Sequence, residues 1–118
     1  MYITCFVIPV PKGRLDAYKE WARASADILK QFGCIEVVEA LGDQIPLGKE
    51  TDFRRAVKAE EDELIVLAWK IWRDKESLEE GEARLHESGL LDSLGEPPFD
   101  AKRLIVGCFD PFFSSGRA

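Results

Sequence analysis

The pattern of apolar and polar positions predicts four strands and two helices in the order β-α-β-β-α-β. Apolar runs rich in aromatic and β-branched residues indicate strands at 2–10, 34–41, 63–72 and 102–109. Apolar residues recur three or four positions apart over Leu15–Phe32, and Gly33 follows where a helix commonly ends in the left-handed conformation. Asp74 offers an N-cap for a second helix reaching about His86. This order matches the split βαβ, or ferredoxin-like, arrangement, an α+β fold with an antiparallel sheet.

The second predicted helix contains Gly81, although a glycine inside a helix costs up to about 1 kcal/mol relative to alanine. Gly81 lies between Leu78 and Leu85 on the thin apolar stripe of that helix. The position therefore predicts a close approach of the helix to the sheet.

The connection between the second and third strands, residues 43–62, is far longer than the two to five residues of a hairpin. A connection of this length normally carries function, an interface or additional secondary structure. Within it, Phe53–Val57 is expected to form a short extended piece.

Both faces of the predicted sheet are apolar, although the chain has only enough helix to cover one of them. In the third strand, eight of the nine residues at 64–72 are apolar, and Lys70 is the exception. The eight are Ile65, Leu67, Trp69 and Ile71 on one face, and Leu64, Val66, Ala68 and Trp72 on the other. An exposed apolar face of that size requires a partner. The simplest partner is a second copy packed sheet against sheet across a two-fold axis, which predicts a homodimer.

Length and charge narrow the class of protein. A chain of 118 residues is expected to form one domain, here residues 1–112 followed by a C-terminal tail at 113–118. Sixteen basic residues stand against 22 acidic ones, for a net charge of −6. Affinity for a phosphate backbone comes from clustered Lys and Arg, so this composition disfavours nucleic-acid binding.

The N-terminal apolar run and the cysteines indicate a soluble cytoplasmic protein. No basic residue precedes the run and prolines close it after about eight apolar positions, so it fits neither a signal peptide nor a membrane helix. Cys5, Cys34 and Cys108 lack CxxC spacing and lie in or beside apolar runs, which favours buried thiols.

Glu39 is a candidate catalytic residue because it shares a strand face with Ile35, Val37 and Leu41. A carboxylate among apolar side chains has its pKa raised by desolvation unless a cation or hydrogen-bond donors offset this, so it could abstract a proton. The alternative is an edge-strand residue that reaches solvent or a loop amide.

Arg103 is a second charge in apolar company, sharing its predicted strand face with Ile105, Gly107 and Phe109. Its planar guanidinium could bind an anionic substrate group. The alternative is a salt bridge to Asp100 or to the partner subunit. The second and fourth strands of this fold lie on opposite edges, roughly 14 Å apart, so no direct contact with the second-strand carboxylate is expected within one subunit.

Three aromatic residues complete the candidate substrate site. Trp69 and Phe53 could form a pocket wall, and Tyr18 could bring a hydroxyl into a cavity from the first helix. Core packing is the alternative for all three. One histidine and scattered cysteines give no metal-ligand spacing, and there is neither a Gly-rich phosphate loop nor a recognisable nucleophile motif. No metal and no cofactor are predicted.

Three segments carry a resemblance to a known family. They are "FVIPVPKGRLDAYKEWA", "EALGDQIPLGKETDFRRAVKAEEDELIVLAWKIW" and "PPFDAKRLIVGCFDPF". Over nearly the whole chain the sequence resembles the YbaA-like proteins, the uncharacterised-domain family numbered 1428. The resemblance implies a fold of the dimeric α/β barrel superfamily, whose ferredoxin-like subunits pack their sheets into a shared barrel. The family usually has a second acidic residue after the "GD" step, where this chain has Gln44.

The resemblance brings no established reaction, and fold alone does not choose one. Superfamily relatives include cofactor-independent monooxygenases, muconolactone isomerase-like enzymes, haem-degrading proteins and non-catalytic ligand binders. The first hypothesis is therefore a homodimer with a small-molecule pocket and monooxygenase- or isomerase-like activity, with Glu39 as base, Arg103 as anion anchor and Trp69 with Phe53 as the wall. The second is a non-catalytic ligand-binding or stress-related accessory protein.

Overall fold

The computed structural model describes residues 1–116 and contains one four-stranded antiparallel sheet. The strands are β1 (Tyr2–Pro11), β2 (Glu36–Leu41), β3 (Glu63–Trp72) and β4 (Ile105–Phe109), and their order across the sheet is β2-β3-β1-β4. One helix connects β1 to β2 and another connects β3 to β4. Every neighbouring pair of strands is antiparallel. The predicted ferredoxin-like α+β fold is confirmed.

The helices are α1 (Leu15–Gln31), α2 (Phe53–Ala56) and α3 (Lys75–Ser88), with 3-10 turns at Lys12–Arg14 and Asp92–Leu94. Beyond the end of α1, Gly33 adopts φ +108°, a conformation that glycine reaches without steric cost. At the start of α3, the Asp74 carboxylate accepts the amide of Ser77 at 2.7 Å. The sequence signals for the end of α1 and the start of α3 are thus confirmed.

Three boundary predictions were wrong. The fourth strand begins at Ile105 rather than at 102, because Asp100 holds the preceding residues in a turn through the amides of Lys102 and Arg103. The second strand begins at Glu36, since the amide of Cys34 still bonds back to the helical carbonyl of Leu29. Phe53–Ala56 is one helical turn instead of an extended piece. The side chain of Asp52 caps it by accepting the amide of Arg55 at 2.8 Å.

The core lies between the sheet and the helices α1 and α3, which pack on the same face. One cluster joins α1 to the centre of the sheet, and a second joins α1, α3 and the buried ring of Trp72. A Cβ at Gly81 would lie 2.5 Å from the carbonyl oxygen of Phe32 and 2.7 Å from the Trp72 ring. The predicted close approach at Gly81 is therefore present, and no larger residue fits there without displacement.

The opposite side of the sheet, called here the outer face, is almost entirely apolar. By strand register it comprises Ile3, Cys5, Val7 and Pro9 on β1, Ile65, Leu67, Trp69 and Ile71 on β3, Val38 and Ala40 on β2, and Ile105, Gly107 and Phe109 on β4, with Glu36 at one end. Ile105 and Phe109 are 43% and 57% exposed. Of the three thiols only Cys34 is buried, so the prediction of buried thiols was wrong for Cys108, which lies on the edge strand β4.

Candidate functional site

A polar pair interrupts the apolar surface that the sheet presents to the helices. Lys70 on β3 is directly opposite Thr4 on β1, and Thr4 is opposite Cys108 on β4. The sulfur of Cys108 lies 3.9 Å from the Thr4 hydroxyl. The Lys70 ammonium lies 4.3 Å from the centroid of the Phe6 ring, within the range of a cation–π contact. A charged side chain thus lies between the sheet and the helices.

Above this pair is a cavity of about 370 Å³, called here the helix–sheet cavity. Its apolar walls come from both helices and the sheet, and include Phe6, Trp21, Leu29, Leu78 and Leu85. Its inner end, called here the floor, contains three buried polar residues, Thr4 and Trp72 from the sheet and Ser25 from α1. Its rim carries Glu82 and Asp92, which are exposed. The cavity is therefore polar at the floor, apolar along the walls and acidic at the mouth.

Two polar atoms in this cavity lack a hydrogen-bond partner among residues 1–116. They are the hydroxyl oxygen of Ser25, a residue 5% exposed, and the indole nitrogen of Trp72, a residue 1% exposed. Leaving a buried donor unmatched costs about 1–3 kcal/mol, so native proteins rarely do so without a reason. Both residues line the same cavity, which makes it the strongest candidate for a binding site.

Lys70 forms no ion pair within 4.0 Å among the described residues. Burial lowers the pKa of Lys70, and the nearby carboxylates of Glu39 and Glu82 oppose that change. The two carboxylates therefore act on the Lys70 ammonium electrostatically from a distance, and neither forms a direct ion pair with it.

Glu39 lies on the helix-facing side of β2 and meets α1. One carboxylate oxygen accepts the hydroxyl of Tyr18 at 2.6 Å. Partial burial raises the pKa of Glu39, although the Tyr18 hydrogen bond and the charge of Lys70 act in the opposite direction. Burial and the same carboxylate raise the pKa of Tyr18 as well. The Tyr18 ring packs 5.9 Å from that of Trp21, so the Tyr18–Glu39 pair lies behind one wall of the helix–sheet cavity.

Arg103 lies in the turn before β4 instead of on a strand face, because that strand begins two residues later. Its guanidinium makes a bidentate ion pair with Glu63, with both nitrogen–oxygen distances at 2.6 Å. It also donates to Asp100 at 2.9 Å and to the carbonyl of Lys58 at 2.9 Å. The alternative interpretation of Arg103, a salt bridge to Asp100, is what the structure shows. These contacts use four of its five N–H donors.

Trp69 and Phe53 lie on the other side of the sheet from Glu39 and Tyr18. Trp69 is on the outer face, opposite Cys5 in the β1–β3 register. Phe53, 47% exposed on α2, lines a smaller apolar cavity of about 160 Å³ with Ile65 and Leu67 of the outer face. A wall shared by Trp69 and the Glu39 carboxylate is therefore not formed within one subunit.

Of the five residues predicted for the site, the structure brings together only Glu39 and Tyr18. Sequence reasoning missed Lys70, Ser25 and Trp72, although two of these left a signal. Lys70 was the one charge among the apolar residues of the third strand, and Ser25 occupied a position on the buried stripe of the first helix. Trp72 left none, because a strand tryptophan gives no indication of whether its N–H is paired.

No group of three or more His, Cys, Asp or Glu in residues 1–116 is arranged to hold a metal ion. Within the same range, the helices are too short or too polar to cross a membrane. The cytoplasmic location stays a prediction.

Sequence comparison connects the chain with uncharacterised relatives. The family model for a protein of unknown function, DUF1428, matches residues 1–101. The uncharacterized protein YbaA of Escherichia coli strain K12 is 40% identical over 110 residues, covering 92% of this chain and 94% of the relative. The uncharacterized protein YbaA of Shigella flexneri matches to the same extent.

Structure comparison gives the same fold at low sequence identity. A monooxygenase from the gene ActVA-Orf6 of Streptomyces coelicolor, solved with the ligand nanaomycin D, has a TM-score of 0.61 at 12% identity, over 99% of this chain and 92% of that one. An uncharacterized NIPSNAP domain protein from Burkholderia xenovorans has a TM-score of 0.57 at 11% identity, over 98% of this chain and 100% of that one. At these identities the likeness establishes the fold alone.

Proposed function

This chain belongs to the DUF1428 family, as the resemblance in its sequence predicted, and we propose that it binds a small organic molecule in the helix–sheet cavity of a homodimeric α/β barrel. The observation that carries the proposal is the pair of buried, unpartnered polar atoms on Ser25 and Trp72, two residues that line one cavity together with Lys70. A ligand with polar groups at one end would satisfy these atoms while its remainder packs against the apolar walls.

The dimer part of the proposal is supported by the outer face. A sheet face with thirteen apolar or small residues and one charged residue is expected to be buried in an assembly. Phe112 and Phe113, 100% and 78% exposed, follow β4 and add aromatic surface at the same edge. Two such faces packed across a two-fold axis would bury each other, since an isologous interface needs a self-complementary surface.

The direct test is to purify the full chain without added ligand and measure its mass under native conditions, then extract and identify any bound molecule. We expect the mass of two chains and a small molecule released on denaturation. If nothing is carried through purification, a thermal-shift screen of small organic compounds replaces extraction. Stabilising compounds should broaden or shift the NMR signals of the Trp72 and Trp21 indoles. A protein stabilised by no compound would overturn the binding proposal, and a monomer at every concentration would overturn the dimer.

A second candidate function, catalysis by proton transfer, is favoured by the 2.6 Å hydrogen bond between Tyr18 and Glu39. A carboxylate whose pKa is raised by burial is suited to accept a proton in an isomerase- or monooxygenase-like reaction. The pair packs against Trp21 through the Tyr18 ring and does not itself line the helix–sheet cavity.

An enzyme and a non-catalytic binding protein differ in what they do to the ligand, and Glu39→Gln tests the role of the carboxylate. Once a cavity ligand is identified, a binding protein would recover it unchanged after incubation with the wild type. An enzyme would convert it, and Glu39→Gln would bind it with similar affinity but convert it at least about 100-fold more slowly, the typical contribution of general base catalysis. Equal conversion by both proteins would remove Glu39 from the mechanism.

A further inference from the structure

We propose that the ligand of the helix–sheet cavity is a small organic acid, whose carboxylate or equivalent oxyanion binds to Lys70, Ser25 and Trp72. The inference rests on the proposed binding function and specifies the chemical class of the ligand. It depends on which polar groups the cavity places at its floor and which at its mouth.

The floor supplies hydrogen-bond donors. The Lys70 ammonium and the Trp72 indole N–H can only donate hydrogen bonds, and the Ser25 hydroxyl can donate as well as accept one. None of the three has a hydrogen bond or ion pair among residues 1–116. A ligand group that satisfies several donors lining one cavity must be rich in acceptors. A carboxylate, with about four lone-pair sites on two oxygens, fits this requirement better than an alcohol or an amide.

Charge placement leads to the same conclusion. The cavity's acidic residues, Glu82 and Asp92, are exposed at its rim, whereas its cation is on the sheet at the floor. The carboxylate of Glu39 faces the same side of the sheet but is engaged by Tyr18. A half-buried ammonium held against the Phe6 ring gains a charge-assisted partner from an anion that enters the cavity.

The walls define the rest of the ligand. Phe6 and Trp21 contribute flat aromatic surfaces, and Leu29, Leu78 and Leu85 contribute aliphatic ones. An aromatic or unsaturated acid would therefore place its ring between the walls with its carboxylate at the floor, and leave its far end at the rim.

The test uses benzoate and phenylacetate as acidic probes, with benzamide and benzyl alcohol as neutral probes of similar size. Binding to the full-length protein is measured by calorimetry, and its location by NMR shifts of the Trp72 indole. We expect the acids to bind at least about tenfold more tightly than the neutral compounds, and Lys70→Met to reduce acid affinity by about 10- to 100-fold, the value of a charge-assisted hydrogen bond. Affinity for benzyl alcohol should not change.

Three further variants make the result specific. Lys70→Arg should retain most of the preference for acids, Ser25→Ala should weaken acid binding with little effect on benzyl alcohol, and the exposed Lys102→Met should have no effect. If Lys70→Met does not fold, the Lys70→Arg and Ser25→Ala comparison decides the question alone.

Neutral probes that bind in the cavity as tightly as the acids would overturn the acid inference while leaving the binding function intact. Acids whose NMR shifts map away from Trp72 would also overturn the acid inference. A failure of all four probes and of the wider compound screen to bind would overturn the binding function itself.

Discussion

The Tyr18 hydroxyl on α1 donates a 2.6 Å hydrogen bond to one carboxylate oxygen of Glu39 on the edge strand β2. The two residues are 21 positions apart in the sequence. The bond explains why a carboxylate can occupy the helix-facing side of β2, where its neighbours Val37 and Leu41 are apolar. The strand lies at the edge of the sheet, so Glu39 stays exposed on one side and is bonded on the other.

Replacing Glu39 with Gln should alter the pH dependence of stability. Because burial raises the pKa of Glu39 in the folded protein, the folded state binds this proton more readily than the unfolded state does. The stability from this proton is fully present below the unfolded pKa and is lost as the pH rises through the folded pKa. The stability of Glu39→Gln relative to the wild type, measured by urea unfolding, should therefore increase as the pH rises above about 4, near the ordinary pKa of Glu. The exposed Glu79→Gln is the control, and equal slopes for both variants would contradict the prediction.

Arg103→Met should be strongly destabilising. The substitution leaves Glu63, 3% exposed, without its bidentate cation, and breaking one partner of a buried pair costs about 3–5 kcal/mol. Arg73→Met, whose side chain is 77% exposed in its ion pair, should cost less than about 1 kcal/mol. Denaturant unfolding at pH 7 measures the free energy of unfolding of both variants. Similar losses in the two variants would show that the Arg103–Glu63 ion pair contributes no more stability than an exposed pair.

The same ion pair should make the protein sensitive to acid. The Arg103 guanidinium holds the pKa of Glu63 below its ordinary value, so the pair's stabilisation is present above the unfolded pKa and is lost as the pH falls through the folded pKa. The stability difference between wild type and Arg103→Met should therefore shrink on acidification below about pH 4, near the ordinary pKa of Glu. A difference that stays constant down to pH 2 would contradict this assignment.

Gly81→Ala should destabilise the fold although alanine favours helix. The new methyl group would lie 2.5 Å from the carbonyl oxygen of Phe32 and 2.7 Å from the buried Trp72 ring. Overpacking of this kind typically costs 1–3 kcal/mol, which exceeds the gain in helix propensity of about 1 kcal/mol. Gly13→Ala, with no atom within 4 Å of the added methyl group, is the matched control and should be nearly neutral in thermal unfolding.

Leu67→Lys should dissociate the proposed homodimer. Leu67 lies on the outer face between Val7 of β1 and Ala40 of β2, so a charge there would be buried against the partner's sheet. We expect the dimer dissociation constant to rise at least 100-fold in analytical ultracentrifugation, with the monomer still folded by circular dichroism. Leu47→Lys, at a loop residue that is 84% exposed, should leave the dissociation constant unchanged. A dimer equally stable in both variants would have to use another surface.

The sequence was most informative where one local signal acted alone. Periodicity located α1, Gly33 marked its end, and Asp74 marked the start of α3, because caps and helical faces depend on residues within one or two turns. It was least informative at the ends of β2 and β4 and at Phe53–Ala56. There the backbone follows hydrogen bonds that compete with strand propensity, donated by the Cys34 amide and accepted by Asp100 and Asp52.

The candidate site divided in the same way. The sequence alone determined that Glu39 and Lys70 were charges in apolar strands and that both faces of the sheet would be apolar, since alternation fixes the side of a strand on which a residue lies. Only the tertiary structure decided that Tyr18 meets Glu39, that Glu63 takes the guanidinium of Arg103, and that Ser25 and Trp72 share a cavity with Lys70. Periodicity gives the direction of a side chain, whereas its partner depends on how distant helices and strands pack, which no local pattern encodes.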